Sequence, residues 1–375
     1  MKQFYKNCII VTDGVTVRDR GVLVENGTIL DVCYCAPEDA EVIDLGGCYL
    51  MPGLIDLHCH GGDGEEFIDG DEESIRLACE LHAAHGTRVL YPTISAADYE
   101  TTYRALEGIE KVRDRMPLLI PGVHLEGPYL APEMCGAQDT GVIRPPKKEE
   151  YEALYERFGS LIARWSYAPE RDVDGAFLAF LKEKGIIPAT AHSAAEYSHM
   201  EEALRGGNRL VTHLYSCTST ITRHGGFRHL GVIESAYLLD DVYVEAIADG
   251  CHLPPELLRL IIKLKGAERV CLITDAIRFA GRQSGEVGGA VPYVIEDGVA
   301  KLADRSAFAG SIATADVLIE RTVKAGIPLA ETVQMMTETP AAVMGLSNMG
   351  RIDKGYAACF TVLDRELAVR SLTDF

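Results

Sequence analysis

Six residues that could bind a metal ion or move a proton lie at the ends of short apolar segments within this 375-residue chain. Two of them form an H-x-H pair. Residues two apart in a strand face the same side, so both imidazoles can enter one cavity. The six residues are His58, His60, Glu126, His192, His213 and Asp275.

This set of side chains suits metal-assisted hydrolysis. Imidazole and carboxylate ligands fit Zn²⁺ or Fe²⁺ with one position left open for water. A bound metal lowers the pKa of its water to about 7, and a carboxylate that binds no metal can take the proton and return it to a leaving nitrogen. A single such histidine is more often a hydrogen-bonded core residue, but six such residues at the ends of five segments are hard to obtain by chance.

The elements that must position these side chains are eight apolar segments alternating with amphipathic ones, which predicts βα units and parallel strands. Eight units point to a closed (β/α)8 TIM barrel, whose strands carry the active site at their carboxyl ends. A doubly wound open sheet competes, but no G-x-G-x-x-G motif opens the first unit. The segments span residues 54–60, 87–93, 118–127, 163–168, 185–193, 209–216, 242–250 and 269–276.

Both ends of the chain read as β structure. Asn26-Gly27 between two apolar runs predicts a hairpin, because this pair supplies the positive φ angles of a type I′ turn. We expect residues 1–50 and 346–375 to form one small β-sandwich domain, and residues 51–345 to form the barrel. An Asp-Gly turn predicts a β-hairpin inserted at about residues 290–303, followed by helices at about 313–325 and 329–344.

Composition excludes several classes of protein. Hydrophobic residues are 47% and charged residues 25%, which excludes a disordered chain, a collagen-like chain and a coiled coil. The net charge of −20 predicts no nucleic-acid partner and no anionic membrane partner. The sequence has no apolar run of ~18 residues, and we expect neither a membrane span nor a signal peptide. Eleven scattered cysteines without a C-x-x-C pair predict free thiols in the cytoplasm.

Six segments resemble the amidohydrolase superfamily and, within it, the family of N-acetylglucosamine-6-phosphate deacetylases. The H-L-E-G-P motif discriminates best, because many relatives in the superfamily carry a carboxylated lysine where this chain has Glu126. That difference counts against a dihydroorotase-like or hydantoinase-like enzyme. The matching segments are MPGLIDLHCHGG at 51–62, GVHLEGPYL at 122–130, VTHLY at 211–215, IADGCH at 247–252, LITDA at 272–276 and AGS at 309–311.

The resemblance implies a role for each of the six residues. Glu126, His192 and His213 would bind the main metal, and the H-x-H pair, His58 and His60, could hold a second one. Asp275 would act as general base and then as general acid, while metal-bound hydroxide attacks the acetamide carbonyl of an N-acetyl amino sugar 6-phosphate. The implied cofactor is a divalent metal, Zn²⁺ or alternatively Fe²⁺, with one or two ions per subunit of a cytoplasmic homodimer.

The resemblance also implies substrate-binding residues, and here the chain departs from the family. Ser216 and Cys217 stand where the family has Asn-Ala, although their backbone N–H groups can still bind phosphate oxygens. An arginine of the family that meets the phosphate falls on His224, between Arg223 and Arg228, and His does not replace the bidentate contact of Arg. The remaining matches to substrate-binding positions are Ala137, Gln138, His252, Phe308, Ala309 and Gly310.

Two alternatives stay open at this point. The altered segment at 216–228 could serve a related amidohydrolase with a changed substrate. That substrate would be N-acetylgalactosamine 6-phosphate, an unphosphorylated sugar or the substrate of a deaminase. A non-catalytic sugar-phosphate sensor is the other alternative, and the intact metal set with Asp275 argues against it, since a sensor needs no general base.

Overall fold

Eight short parallel strands form the central sheet in the computed structural model, which describes residues 1–282 and 292–375 and the backbone of 285–287. Each strand pairs in parallel with the next one along the chain. Each of the eight segments predicted from the sequence overlaps one of these strands. The strands are β1 Leu54–Cys59, β2 Thr87–Ile94, β3 Val123–Glu126, β4 Ile162–Tyr167, β5 Ile187–Thr190, β6 Leu210–Val211, β7 Tyr243–Ile247 and β8 Val270–Ile273.

The sheet closes on itself where the end of β1 meets the segment after β8. The backbone N–H of Asp275 donates to the carbonyl oxygen of His58 at 2.9 Å, and the N–H of His60 donates to that of Ala276 at 2.7 Å. The predicted (β/α)8 TIM barrel is therefore confirmed, and the carboxyl ends of all eight strands share one rim.

Ten α-helices accompany the strands in the described parts of the chain. The predicted helix over 329–344 is interrupted, because the carbonyl oxygens of Met335 and Met336 accept hydrogen bonds from the N–H groups of Leu272 (3.0 Å) and Ile55 (2.8 Å). The interruption thus ties α9 and α10 to β8 and β1. The helices are α1 Glu72–Ala84, α2 Tyr99–Val112, α3 Lys148–Phe158, α4 Ala176–Lys184, α5 Tyr197–Gly206, α6 Val232–Leu238, α7 Pro255–Lys265, α8 Ala315–Lys324, α9 Leu329–Gln334 and α10 Glu338–Met344.

Two further sheets bring the chain ends together around one apolar core. Asn26 (φ 50°) and Gly27 (φ 74°) form the predicted tight turn of a hairpin. The strand Phe360–Leu363 pairs antiparallel with Tyr49–Pro52, so both termini contribute to the small β-sandwich. One sheet contains Lys2–Lys6, Gly21–Glu25, Thr28–Cys33 and Ala40–Asp44, and the other Ile9–Thr12, Val15–Val17, Tyr49–Pro52, Phe360–Leu363 and Val369–Arg370.

A four-stranded antiparallel sheet follows β8 and lies at the rim of the barrel. It contains Gly285–Val287, Tyr293–Glu296, Val299–Leu302 and Phe308–Gly310. The hairpin turn is the predicted Asp-Gly pair, although the predicted start of the insertion, about residue 290, lies outside the described residues. The N–H of Ser311 donates to the carbonyl oxygen of Asp275 at 2.9 Å, which attaches the last strand to the end of β8.

Short two-stranded ribbons complete the strands: Gly61–Gly62 with Glu65–Glu66, and Thr222–His224 with Phe227–His229. All eleven cysteines are free. Within residues 1–282 and 292–375, no helix has the length and apolar character that crossing a membrane requires.

Gly108 marks a close approach between α2 and the turn before α1. A Cβ at this position would lie 1.9 Å from the carbonyl oxygen of Gly70. Alanine is favoured over glycine in a helix by about 1 kcal/mol, but the clash with backbone outweighs that gain. We therefore expect Gly108→Ala to lower the free energy of unfolding by about 1–3 kcal/mol in urea denaturation. Arg104→Ala, exposed on the same helix, is the control, and an unchanged or raised stability of Gly108→Ala would contradict this packing.

Candidate metal centre and active site

The carboxyl ends of the strands bring the six sequence-predicted residues into one buried cluster. His58 lies in β1 and His60 just after it, and Glu126 ends β3. The other three lie two residues beyond the ends of β5, β6 and β8. None of the six is more than 9% exposed: they are His58, His60, Glu126, His192, His213 and Asp275.

Three of these residues have an uncommon backbone conformation. His192 (φ 44°), His213 (φ 32°) and Asp275 (φ 47°) each have a positive φ directly after a strand. Such a conformation costs a non-glycine residue on the order of 1–3 kcal/mol, and residues of this kind cluster at functional sites. In all three residues the positive φ comes two residues after the strand ends, at the rim where the cluster forms.

Glu126 is the centre of the cluster. Its Oε1 lies 2.9 Å from Nε2 of His213 and 3.3 Å from Nε2 of His192. Its Oε2 lies 3.4 Å from Nε2 of His60, which is 3.1 Å from Nε2 of His58. These atoms form two overlapping groups of potential ligands that share Glu126.

The hydrogen bonds behind the histidines show that this donor set fits a cation. The carbonyl oxygen of Met134 lies 2.8 Å from Nδ1 of His192 and can only accept, so Nδ1 carries a proton and, in the neutral imidazole, the lone pair of Nε2 faces the carboxylate of Glu126. Ser95 Oγ lies 2.9 Å from Nδ1 of His60, where the hydroxyl is able to accept the proton of that nitrogen. Two lone pairs facing each other in a buried site repel unless a cation lies between them, which a divalent metal ion satisfies.

The charges of the cluster indicate the same need. Burial opposes protonation of His58, but the carboxylates of Asp275 and Glu126 outweigh burial and raise its pKa to about 10. Burial likewise disfavours the charged form of Asp275, yet His58 and His60 hold its pKa well below the usual range. The carboxylates thus require nearby positive charge, which imidazolium supplies in the metal-free chain and a bound ion would supply in its place.

A cavity of about 430 Å³ opens above the cluster. Gln138 reaches its inner end, where Nε2 donates to Oε2 of Glu126 at 2.7 Å and Oε1 accepts from the N–H of Ala96 at 2.9 Å. Eight residues predicted to bind substrate line this cavity, together with five of the six cluster residues; His58 lies deeper. The eight are Ala137, Gln138, Ser216, Cys217, His252, Phe308, Ala309 and Gly310.

Three predicted substrate residues lie elsewhere. Arg223, His224 and Arg228 belong to the exposed ribbon at 222–229 and do not line the cavity. Among the described residues that do line it, none is lysine or arginine. His252 is the cavity histidine outside the metal cluster, and its Nδ1 lies 2.7 Å from Oδ2 of Asp249.

Sequence reasoning missed several lining residues. Ser95 directly follows β2, so the rule that active-site residues end barrel strands could have found it. Tyr215 ends the matching segment VTHLY, in which only His213 has an implied role. The other residues lie in loops, in the ribbon of Gly61–Gly62 and Glu65–Glu66, or in the rim sheet, where no motif marks them. The lining residues missed are Glu66, Ser95, Ala96, Asp139, Tyr215, Ile277, Tyr293 and Ala307.

A third group of potential ligands, Asp56, Cys59 and His82, lies behind β1. The carboxylate of Asp56 already accepts from Thr274 Oγ1 at 2.5 Å and from the N–H of His58 at 3.2 Å. Burial raises the pKa of Asp56 to about 6 and lowers that of His82 to about 4. Because the carboxylate of Asp56 is already engaged and none of the three residues lines the cavity, the group is part of the core.

Comparisons with known proteins agree with the geometry. The model of the amidohydrolase family matches residues 49–375. An N-acetylglucosamine-6-phosphate deacetylase of Bacillus subtilis is 30% identical over 317 residues, which cover 82% of this chain and 78% of the relative.

Solved structures of the same name have the same fold. The N-acetylglucosamine-6-phosphate deacetylase of Pasteurella multocida has a TM-score of 0.91 at 26% identity, covering 98% of this chain and 97% of that one. A variant of the enzyme of Mycobacterium smegmatis, solved in complex with N-acetyl-D-glucosamine-6-phosphate, has a TM-score of 0.89 at 30% identity, covering 98% and 96%.

Proposed function

Since this chain belongs to the amidohydrolase family, we propose that it hydrolyses the acetamide of N-acetylglucosamine 6-phosphate to acetate and the amino sugar phosphate. The observation that carries this function is the convergence of Glu126, His192, His213 and Asp275 at the floor of one cavity. The relatives and solved structures of that name cover nearly the whole chain, so they share the barrel and the β-sandwich with it.

We propose that Glu126, His192 and His213 hold the principal divalent ion, and that His58 and His60 hold a second ion that shares Glu126. Zn²⁺ is the metal we propose, because imidazole and carboxylate ligands with an open position suit it. A bound ion of this kind lowers the pKa of water to about 7 and polarises a carbonyl oxygen.

Asp275 is the proposed proton carrier. Its Oδ1 lies 3.2 Å from Nε2 of His60, at the edge of the metal cluster, and its side chain lines the cavity. Because its pKa is held low, it is ionised and free to accept a proton from the attacking water. It then returns that proton to the leaving nitrogen, so that the amino sugar departs as a neutral amine.

Other cavity residues orient the sugar in this proposal. Gln138 is fixed by Ala96 and Glu126 and marks the acetamide end of the cavity. The phosphate then extends toward the backbone N–H of Cys217 and toward His252, whereas the predicted contact of the N–H of Ser216 is not available because that group donates to the carbonyl oxygen of His213 at 2.8 Å. The rim strand Phe308–Gly310 covers the sugar, since the ring of Phe308 packs against that of His252 at 4.9 Å.

We expect His252 to recognise the phosphate, since no Lys or Arg accompanies it among the described lining residues. A hydrogen bond to a charged group contributes about 1.5–3 kcal/mol. His252→Ala should therefore raise the KM for N-acetylglucosamine 6-phosphate by about 10- to 100-fold and leave the weaker turnover of N-acetylglucosamine unchanged. Steady-state kinetics with both sugars measure this, and Arg223→Ala and Arg228→Ala, assayed in parallel, show whether the ribbon contributes. Equal losses on both sugars in His252→Ala would contradict a phosphate contact.

A cytoplasmic homodimer completes the proposal. The ribbon at 222–229 carries Phe227, which is 77% exposed, and an apolar side chain in that position suits burial against a second chain. Light scattering after size exclusion measures the oligomeric state, and Phe227→Ser should shift a dimer toward monomer. A wild-type monomer at micromolar concentration would contradict this part of the proposal.

Product analysis tests the reaction itself. The metal-free chain is loaded with Zn²⁺ and incubated with N-acetylglucosamine 6-phosphate, and acetate, ammonia and free amine are measured together. Acetate and amine should appear in equal amounts, and chelation should abolish both. If ammonia is released without acetate, from this or another substrate, the enzyme is a deaminase and the proposed deacetylation is wrong.

A further inference from the structure

A charged pair lies inside the barrel directly beneath the metal cluster. Arg164 of β4 forms an ion pair with Glu245 of β7, and both side chains are fully buried. Arg164 is also held by Thr212 Oγ1 at 2.7 Å and by the carbonyl oxygen of Leu57 at 3.3 Å. The pair therefore has a fixed position in the middle of the core.

Stability alone does not account for this pair. Removing two charges from water costs several kcal/mol per ion, and replacing a buried ion pair by apolar side chains of similar volume is often neutral or stabilising. Barrel interiors are usually filled by branched apolar residues. An Arg–Glu pair at this depth therefore calls for a role other than packing.

The free oxygen of Glu245 points to that role. While Oε1 faces Arg164, Oε2 lies 3.4 Å from Nδ1 of His58. A carboxylate accepts only, so the contact keeps a proton of His58 on Nδ1, and Nε2, which faces His60, Glu126 and Asp275, is the nitrogen that gives up its proton to bind an ion. A metal-binding histidine characteristically has a partner of this kind on its other nitrogen.

We infer that Glu245, held in place by Arg164, is a positioning residue that fixes the tautomer and orientation of His58 for the ion at His58 and His60. The inference rests on the proposed metal role of that pair. Arg164 supplies the positive charge that offsets the buried carboxylate of Glu245, through the contact of its Nη1 with Oε1. Neither residue lines the cavity, so neither touches the substrate.

Metal binding to the metal-free chain tests this inference without any substrate. Glu245→Gln can turn its amide nitrogen toward Nδ1, which moves the proton of His58 to Nε2 and blocks that ligand. Partners of this kind contribute about 10- to 100-fold to metal affinity. Titration with Zn²⁺ should therefore show one ion bound about 10- to 100-fold more weakly in Glu245→Gln, while the ion at Glu126, His192 and His213 keeps its affinity.

Two further variants separate positioning from folding. The double variant Arg164→Met with Glu245→Met removes both charges and leaves no charge unpaired, so the metal-free chain should fold. The ion at His58 and His60 should bind more weakly in this variant than in the wild type. Arg164→Lys disturbs the same layer of the core but keeps a carboxylate on His58, and it should bind both ions.

Three results would overturn the inference: wild-type affinity for every ion in Glu245→Gln, wild-type affinity in the double variant, or an equal loss of the ion in Arg164→Lys. If the wild type releases no acetate while Glu245→Gln still loses one ion, the proposed function fails and the positioning role stands.

Discussion

Asp275→Asn is expected to lower kcat by about 10²- to 10⁴-fold, the usual contribution of a general acid–base group. Asparagine has nearly the same shape but can neither accept the proton of the attacking water nor return one to the leaving nitrogen. Asp275 lies at the edge of the cluster, outside both groups of potential ligands, so the metal content should stay at the wild-type level.

Steady-state kinetics of acetate release, with metal analysis of the same sample, measure the effect of Asp275→Asn. The variant should also lose the acidic limb of the pH profile, in which activity falls as Asp275 is protonated, because a carboxamide does not titrate. Activity within a few-fold of wild type would remove Asp275 from the mechanism. If Asp275→Asn loses the metal together with its activity, Asp275 is instead a metal ligand.

Glu126→Gln is expected to have the largest effect on metal binding, because this carboxylate belongs to both groups of potential ligands. Its Oε1 faces His192 and His213, and its Oε2 faces His60. Partners behind a ligand contribute about 10- to 100-fold to metal affinity, so loss of the shared ligand should exceed 100-fold for the principal ion. Acetate release should fall in parallel.

Glu66→Gln is the matched control for Glu126→Gln. Glu66 also lines the cavity, but its Oε2 pairs with Arg278 at 2.9 Å. It should keep the wild-type metal content, as measured by dialysis against Zn²⁺ and elemental analysis. Full metal content in Glu126→Gln, or equal losses in the two variants, would contradict the ligand set.

Much of the fold and of the cluster could be predicted from the sequence because both follow from periodicity. Eight apolar segments predict eight parallel strands, and the strand-end rule of a barrel then brings Glu126, His192 and Asp275 together. The Asn26-Gly27 turn could also be predicted from the sequence, since few pairs of residues accept two positive φ angles.

Contacts between distant segments could not be predicted in the same way. The break between α9 and α10 depends on hydrogen bonds to β1 and β8, which no local pattern encodes. The charges of Arg164 and Glu245 stand out within apolar segments, but their pairing across the barrel requires the fold. The ribbon at 222–229 has a local signal in Gly225-Gly226, because this pair favours hairpin turns. No local signal indicates that the ribbon lies outside the cavity.

The central claim is deacetylation directed by the sugar phosphate, and acetate release from two sugars tests it most directly. Zinc-loaded protein is assayed with N-acetylglucosamine 6-phosphate and N-acetylglucosamine side by side. We predict fast acetate release from the phosphate ester and a kcat/KM at least about 10-fold lower for the unphosphorylated sugar. If protein of full metal content releases acetate from neither sugar, the proposed deacetylation is wrong. The barrel fold and the metal centre would then be the only parts of the account that remain supported.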